Sequence, residues 1–234
     1  MSNLAIIPAR SGSKGLRDKN IMSLNDRPMI AYSIISAKKA MIFDEVHVST
    51  DSDNYANISR EYGAQVPFLR DDDLAGDDIS SIDVLKYVVN EYKKLGLEFD
   101  TVCLLQPTSP LRIADDILKA YNEFKLKNAN AVVSVCSVGN LPLLCNTLPE
   151  DRSLDKFLSK EVINKPRQAL PEYYKINGAI YILKTEYLLN TDNIYENGCY
   201  AYIMPEYRSI DVDTMIDFVI AEAIMKKYQD LYIF

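Results

Sequence analysis

The chain has 234 residues, 48% of them hydrophobic and 25% charged, with a formal net charge of −7, a balance that suits one large globular domain, or one domain with an insertion. No run approaches the roughly 18 to 20 apolar residues of a membrane span, and the apolar start, Leu4 to Ile7, stops at Pro8, too short for a signal-peptide core; a cytoplasmic location with no membrane or nucleic-acid partner is expected. Cys103, Cys136, Cys145 and Cys199 form no C-x-x-C pair and read as reduced packing thiols, and the single histidine, His47, lies in the strand-like EVHVST, so neither a zinc site nor a histidine-activated nucleophile is expected.

In chain order, NLAIIPA reads as a strand, PMIAYSIISAKKA as a helix opened by Pro28 at an early position, DEVHVST as a strand, and DNYANISREYG as a helix closed by Gly63. A short strand, AQVPFL, is expected next. The following helix runs from about Ser81 to Leu95, because Ile82, Leu85, Val88, Val89 and Tyr92 recur at helical spacing, and Ser80 with Asp83 can form a capping box. DTVCLLQ then reads as a strand, the ADDILKAYNEFKLK region as a helix and ANAVVSVCS as a strand. This alternation predicts an α/β fold with a largely parallel sheet between helices, and near-continuous apolar runs such as Ala131 to Val135 suit strands buried on both faces. Between about Gly139 and Lys175 the alternation stops: Pro142, Pro149, Pro166 and Pro171, mixed charge and no helical period predict an excursion from the sheet. GAIYILK and CYAYIMP resume as strands. In the closing SIDVDTMIDFVIAEAIMKKY, the residues Ile216, Val219, Ile220, Ala223 and Ile224 are expected to form the packing face of a last helix.

The turn after the first strand crowds Arg10, Lys14, Arg17 and Lys19 around Gly12 and Gly15. Backbone N–H groups and cations at the carboxyl end of a parallel strand suit a polyanion, the alternative being a solvated basic loop. The turn matches neither the P-loop nor the dinucleotide G-x-G-x-x-G pattern. Near the C-terminus, SIDVD puts Asp211 and Asp213 on the same side of an extended segment, where two carboxylates suit a hard divalent cation. Asp213 could instead cap the last helix. The acidic cluster Asp71 to Asp73 with Asp77 and Asp78 lacks the ligand spacing of a calcium loop and reads as a solvated loop.

The segment IIPARSGSKGLRDKNI resembles the nucleotide-binding signature of the N-acylneuraminate cytidylyltransferase family. VSTDSD, LRDDDLAGDDISSIDV, LLQPTSPLR, KPRQALPEYYKINGAIYI and SIDVDTMID resemble its other blocks, in its order and over essentially the whole chain. The resemblance implies a nucleotidyltransferase domain with a protruding arm, residues 139–175, that swaps into a homodimer partner. It also implies transfer of CMP from CTP to the anomeric hydroxyl of a nine-carbon acidic sugar, with Mg²⁺, or Mn²⁺ in its place, and release of pyrophosphate. By the same resemblance Arg10, Gly12, Ser13 and Lys14 hold the phosphates, while Lys19 stabilises charge developing at the α-phosphate and Arg17 is peripheral. Asn20, Arg70 and Ser81 match the positions that recognise cytosine and ribose, and Asp211 and Asp213 match the metal ligands; an aspartate there, or metal-bound solvent instead, can take the sugar hydroxyl's proton. Gln106, Arg167 and Lys175 fall to the sugar side.

Two departures bear on the sugar. GNLPLLCNTL has Leu143 and Leu144 and no cation where sialic acid enzymes often carry a lysine, and Lys175 stands where an arginine is common. Both leave the CTP side untouched and make legionaminic or pseudaminic acid an alternative acceptor. A nucleotide-sugar glycosyltransferase would also use a D-x-D such as Asp211 to Asp213, but that motif normally follows the early strands of its nucleotide domain.

Overall fold

The computed structural model describes residues 1–12, 16–71, 76, 79–160 and 162–232, the side chains of Leu141 and Arg167 excepted. The strands are β1 (Asn3–Pro8), β2 (Ser23–Leu24), β3 (Arg27–Pro28), β4 (Glu45–Ser49), β5 (Thr101–Leu104), β6 (Ala131–Gly139), β7 (Tyr173–Lys184) and β8 (Cys199–Ile203). The α-helices are α1 (Met29–Ala40), α2 (Asp53–Glu61), α3 (Ser81–Lys94), α4 (Ala114–Leu126), α5 (Thr185–Asn190) and α6 (Met215–Lys227). Six strands form one sheet in the order β4-β1-β5-β7-β6-β8. Only β7 runs antiparallel to its neighbours β5 and β6; β1 pairs in parallel with β4 and β5, and β6 with β8.

The unbroken apolar runs have a simple cause. Successive side chains of a strand point to opposite faces, and both faces here are covered. In β1, Leu4 and Ile6 pack with Val84, Leu85 and Val88 of α3, whereas Ala5 and Ile7 pack with Ile30 and Ile34 of α1 and Ile117 of α4. The Ser80–Asp83 capping box forms as predicted. The mostly parallel α/β sheet between helices is therefore as the sequence implies.

Several local expectations fail for identifiable reasons. AQVPFL contributes only a single bridge, Gln65 to His47, because Pro67 has no N–H to extend a ladder beside β4. Pro28 is the N-cap of α1 and lies outside its first turn. On α6 the buried residues are Phe218, Ala221 and Met225, while Ile216, Val219 and Ile220 of the expected packing face are 72%, 56% and 40% exposed. The helix is apolar on more than one side, so its periodicity did not pick the face that meets the core cluster of Leu24, Met29 and Tyr32. Asp213 does not cap α6. Thr214 does, in a capping box with Asp217. The excursion begins and ends inside the sheet, since Gly139 pairs with Tyr173 and Cys136 with Lys175; between them the described segments contain only short 3₁₀ turns.

His47 is fully buried in β4, its Nδ1 3.2 Å from the Tyr92 hydroxyl and its Nε2 without a partner among the described residues. Burial first, and then the charge of Arg70, hold it down to about 3 against an ordinary 6.5. It is a neutral core residue. The unfolded chain therefore binds one more proton than the folded chain between these values, so stability is full above pH 6.5 and falls as pH drops toward 3. Between pH 6.5 and 4.5 this group should cost about 2 kcal/mol. Urea midpoints measured across that range should fall more steeply for the wild type than for His47→Phe; parallel slopes would contradict a neutral buried imidazole.

Candidate active site

The site assembles where parallel sheets ordinarily bind ligands, at the carboxyl ends of β1, β4 and β5. The chain leaves β1 with Ala9 N–H bonded to Ser49 O at 2.8 Å and then turns at Gly12, whose φ of +73° favours glycine. Two carboxylates brace this basic turn. Asp51, just beyond β4, accepts the Ser11 N–H at 2.8 Å and the Ser11 hydroxyl at 2.6 Å, and Asp18 accepts the Tyr55 hydroxyl at 3.0 Å. Burial opposes ionisation of Asp51, but the Ser11 bonds and the charge of Arg70 outweigh it and hold the carboxyl below its ordinary value.

Inside the turn, Asn20 is buried and donates to Arg10 O at 3.3 Å. Arg70 is 5% exposed, and its Nε and Nη2 have no hydrogen-bond partner among the described residues. Burial, opposed by Asp51 and reinforced by Arg10, lowers its affinity for the proton. A guanidinium buried with unused donors is costly unless a ligand completes it. Arg17 has its side chain 94% exposed and pairs only loosely with Asp18. Ser13, Lys14, Gly15 and most of the acidic cluster, Asp72, Asp73, Asp77 and Asp78, lie outside the described residues.

The carboxylate pair comes to the same mouth from the far end of the chain. Val212 is fully buried and its N–H bonds to Thr108 O at 2.8 Å, so Asp211 and Asp213 are turned together away from the core. Lys19 Nζ meets Asp213 Oδ1 at 2.7 Å. Asp211 keeps an exposed edge, yet desolvation of its carboxyl pushes it up; the Thr108 hydroxyl opposes that, the Asp213 charge adds to it and Lys19 opposes again. With Asp217 also close, negative charge here exceeds what Lys19 neutralises. Among the described residues no cluster of three or more acidic, histidine or cysteine groups could enclose a metal ion. Two carboxylates would fit a hydrated Mg²⁺ whose remaining positions phosphate oxygens complete.

A cavity of about 500 Å³ opens beside this mouth, lined by Ser81, Lys86, Gln106, Tyr181, Asp192 and Tyr195 among others. Gln106 lies over Gly178, where a Cβ would stand 2.6 Å from its Oε1, so a side chain at 178 would displace it. The fully buried Arg112 donates to Ala179 O at 2.7 Å, Gln106 O at 3.3 Å and Ser33 Oγ at 2.6 Å, tying the loop after β5 to β7 and α1. Lys175 lies apart from this cavity on the exposed start of β7, within electrostatic reach of Asp217. Arg167 begins a 3₁₀ turn over Arg167–Ala169. The sequence motifs contain Asp51, Thr108, Arg112 and Tyr181 without assigning them roles, and Lys86 and Asp192 lie outside every motif.

The profile of the cytidylyltransferase family matches residues 4–231. The chain is 38% identical to post-translational flagellin modification protein B of Campylobacter coli, covering 96% of this chain and 95% of that protein. It is 37% identical to the N-acylneuraminate cytidylyltransferase of Escherichia coli O18:K1:H7, covering 96% of this chain but 52% of that longer protein. With the CMP-N,N'-diacetyllegionaminic acid synthase of Legionella pneumophila it shares 34% identity over 98% of this chain and 99% of that one. Among solved structures, CMP:2-keto-3-deoxy-manno-octonic acid synthetase complexed with CTP superposes with a TM-score of 0.74 at 18% identity, covering 97% of this chain and all of that one, a likeness of fold.

Proposed function

The chain belongs to the cytidylyltransferase family, and from that premise we propose that it moves CMP from CTP to the anomeric hydroxyl of a nonulosonic acid, N-acetylneuraminic acid or its legionaminic or pseudaminic relatives, releasing pyrophosphate. The observation that supports this most is the convergence of a basic turn, a buried Arg70 with donors unused among the described residues and the Asp211–Asp213 pair at one mouth. We assign Arg10 with Gly12, Ser13 and Lys14 to the phosphates and Asn20, Arg70 and Ser81 to the nucleoside. Lys19 is read as the charge that stabilises the α-phosphoryl group as the anomeric oxygen attacks phosphorus and the bond to the β-phosphate breaks. The sugar hydroxyl's proton goes to Asp211. Mg²⁺, or Mn²⁺, held by Asp211 and Asp213 would supply positive charge against the polyphosphate. Gln106 is read as lining the sugar pocket, with Arg167 and Lys175 toward the acid group, for which the planar guanidinium is suited.

We further read residues 139–175 as the arm of a homodimer. Leu148, Leu154 and Ile163 on the arm are 57%, 66% and 46% exposed, and the open face of α6 adds Ile216 and Val219. Apolar surface of this kind is usual at subunit contacts. Among the described residues no helix is long and apolar enough to cross a membrane, and we place the reaction in the cytoplasm, where CTP is made.

The acceptor is decided by measuring pyrophosphate release with CTP and Mg²⁺ against N-acetylneuraminic, legionaminic, pseudaminic and 3-deoxy-octulosonic acids. Release is expected with a nine-carbon acid and not with the octulosonic acid. Silence with every nine-carbon acid would contradict the assignment.

A further inference from the structure

The cavity beside Gln106 has two walls from distant parts of the chain. One is the first turns of α3, with Ser80, Ser81 and Lys86; the other is the segment between α5 and β8, with Asp192, Asn193 and Tyr195. The second wall is an ordered loop. Thr191 Oγ1 donates to Asn193 O at 2.9 Å and accepts the Asn193 N–H at 3.1 Å, Asn193 Nδ2 donates to Glu196 Oε1 at 2.8 Å, and the Tyr187 hydroxyl donates to Glu196 O at 2.6 Å. Ile194, 4% exposed, anchors the loop in the core beneath.

These bonds hold the loop to itself and to α5, and Ile194 shares a buried cluster with Val84, Leu85 and Val88 of α3, which fixes the floor of the cavity and leaves its rim to polar contacts. Among the described residues one hydrogen bond joins the two walls: Lys86 Nζ donates to Thr191 O at 2.9 Å, across 105 positions of sequence. A charged donor on a carbonyl is among the stronger hydrogen bonds. Lys86 is also half-buried and lines the cavity, so its ammonium both closes the gap and fixes its width.

We propose that Lys86 is a positioning residue for the acceptor end of the site, fastening the Thr191–Tyr195 wall to α3 so that the cavity is formed before the acidic sugar arrives. This rests on the reading that the cavity takes that sugar. A wall ordered in advance spares the substrate the entropy of ordering it. Lys86 touches neither the basic turn nor the Asp211–Asp213 pair in any described contact, and the wall it fastens, Thr191–Tyr195, holds none of the residues assigned to CTP, whereas Ser81 stays on α3; its effect therefore falls on the acceptor more than on CTP.

The test compares wild type, Lys86→Met and Lys86→Arg by amide hydrogen exchange over residues 191–196 and by steady-state kinetics. Lys86→Met should exchange there at least tenfold faster with α3 core amides unchanged, and its KM for the acid should rise about tenfold, the scale of losing one hydrogen bond from a charged donor. Its kcat and its KM for CTP should stay within about twofold. Lys86→Arg, which keeps the charge and reach, should restore both readouts. Unchanged exchange at 191–196 in Lys86→Met overturns the proposal, as does an equal rise in both KM values. A wild type that transfers CMP to no acid removes the acceptor reading, and the exchange comparison then still decides whether Lys86 fastens the wall.

Discussion

Lys19→Ala should lower kcat by about 10² to 10³ fold, the scale of removing one preorganised charge that stabilises a transition state. The lysine side chain is 16% exposed and its ammonium lies 2.7 Å from Asp213 Oδ1, so it is held at the mouth of the site before substrate binds. In the proposed reaction the charge it meets is the one that grows at the α-phosphoryl group, so the loss should fall on kcat more than on the KM for CTP. The fold should survive, because the pair with Asp213 joins a largely exposed carboxylate and such pairs add little stability. Unfolding midpoints measured alongside the kinetics separate the two effects. A variant with near-normal kcat would take Lys19 out of the chemistry.

Asp211→Asn should lower turnover by about 10² fold or more and move the Mg²⁺ titration to higher concentration, since the amide keeps the shape of the carboxylate and loses its charge. Local structure gives this variant a clean background. Val212 stays in the core with its N–H on Thr108 O, and the start of α6 is held by the Thr214–Asp217 box without help from Asp211. Removing one of three neighbouring carboxylates should also relieve like-charge repulsion, so thermal stability is expected to hold or rise slightly. An unchanged metal titration would remove Asp211 from the ion's donor set.

Much of this was legible in the sequence, and the parts that were not share a physical cause. The sheet showed through because strands covered on both faces carry unbroken apolar runs, and the Ser80–Asp83 box announced α3. Asp211 and Asp213 could be paired from the period of an extended segment with Val212 turned inward. The open face of α6 was misassigned because Ile216, Val219 and Ile220 repeat at helical spacing as plausibly as Phe218, Ala221 and Met225; which stripe meets the core is settled by tertiary packing. The hairpin of β2 and β3 and the short α5 are too brief to produce a periodic signal. The basic turn was visible, but its braces were not: Asp51 reaches Ser11 across 40 positions, Lys19 reaches Asp213 across 194 and Lys86 reaches Thr191 across 105. Contacts of that span leave no local spacing to read.

The most direct test of the central claim is to supply wild-type protein with CTP radiolabelled at the α-phosphorus, Mg²⁺ and a nine-carbon acidic sugar, and to follow the label. Cytidylyl transfer predicts that the label moves into a CMP-sugar in one-to-one proportion with pyrophosphate, and only when the acid is present. Label that stays in CTP, or appears as free CMP regardless of the acid, would contradict it.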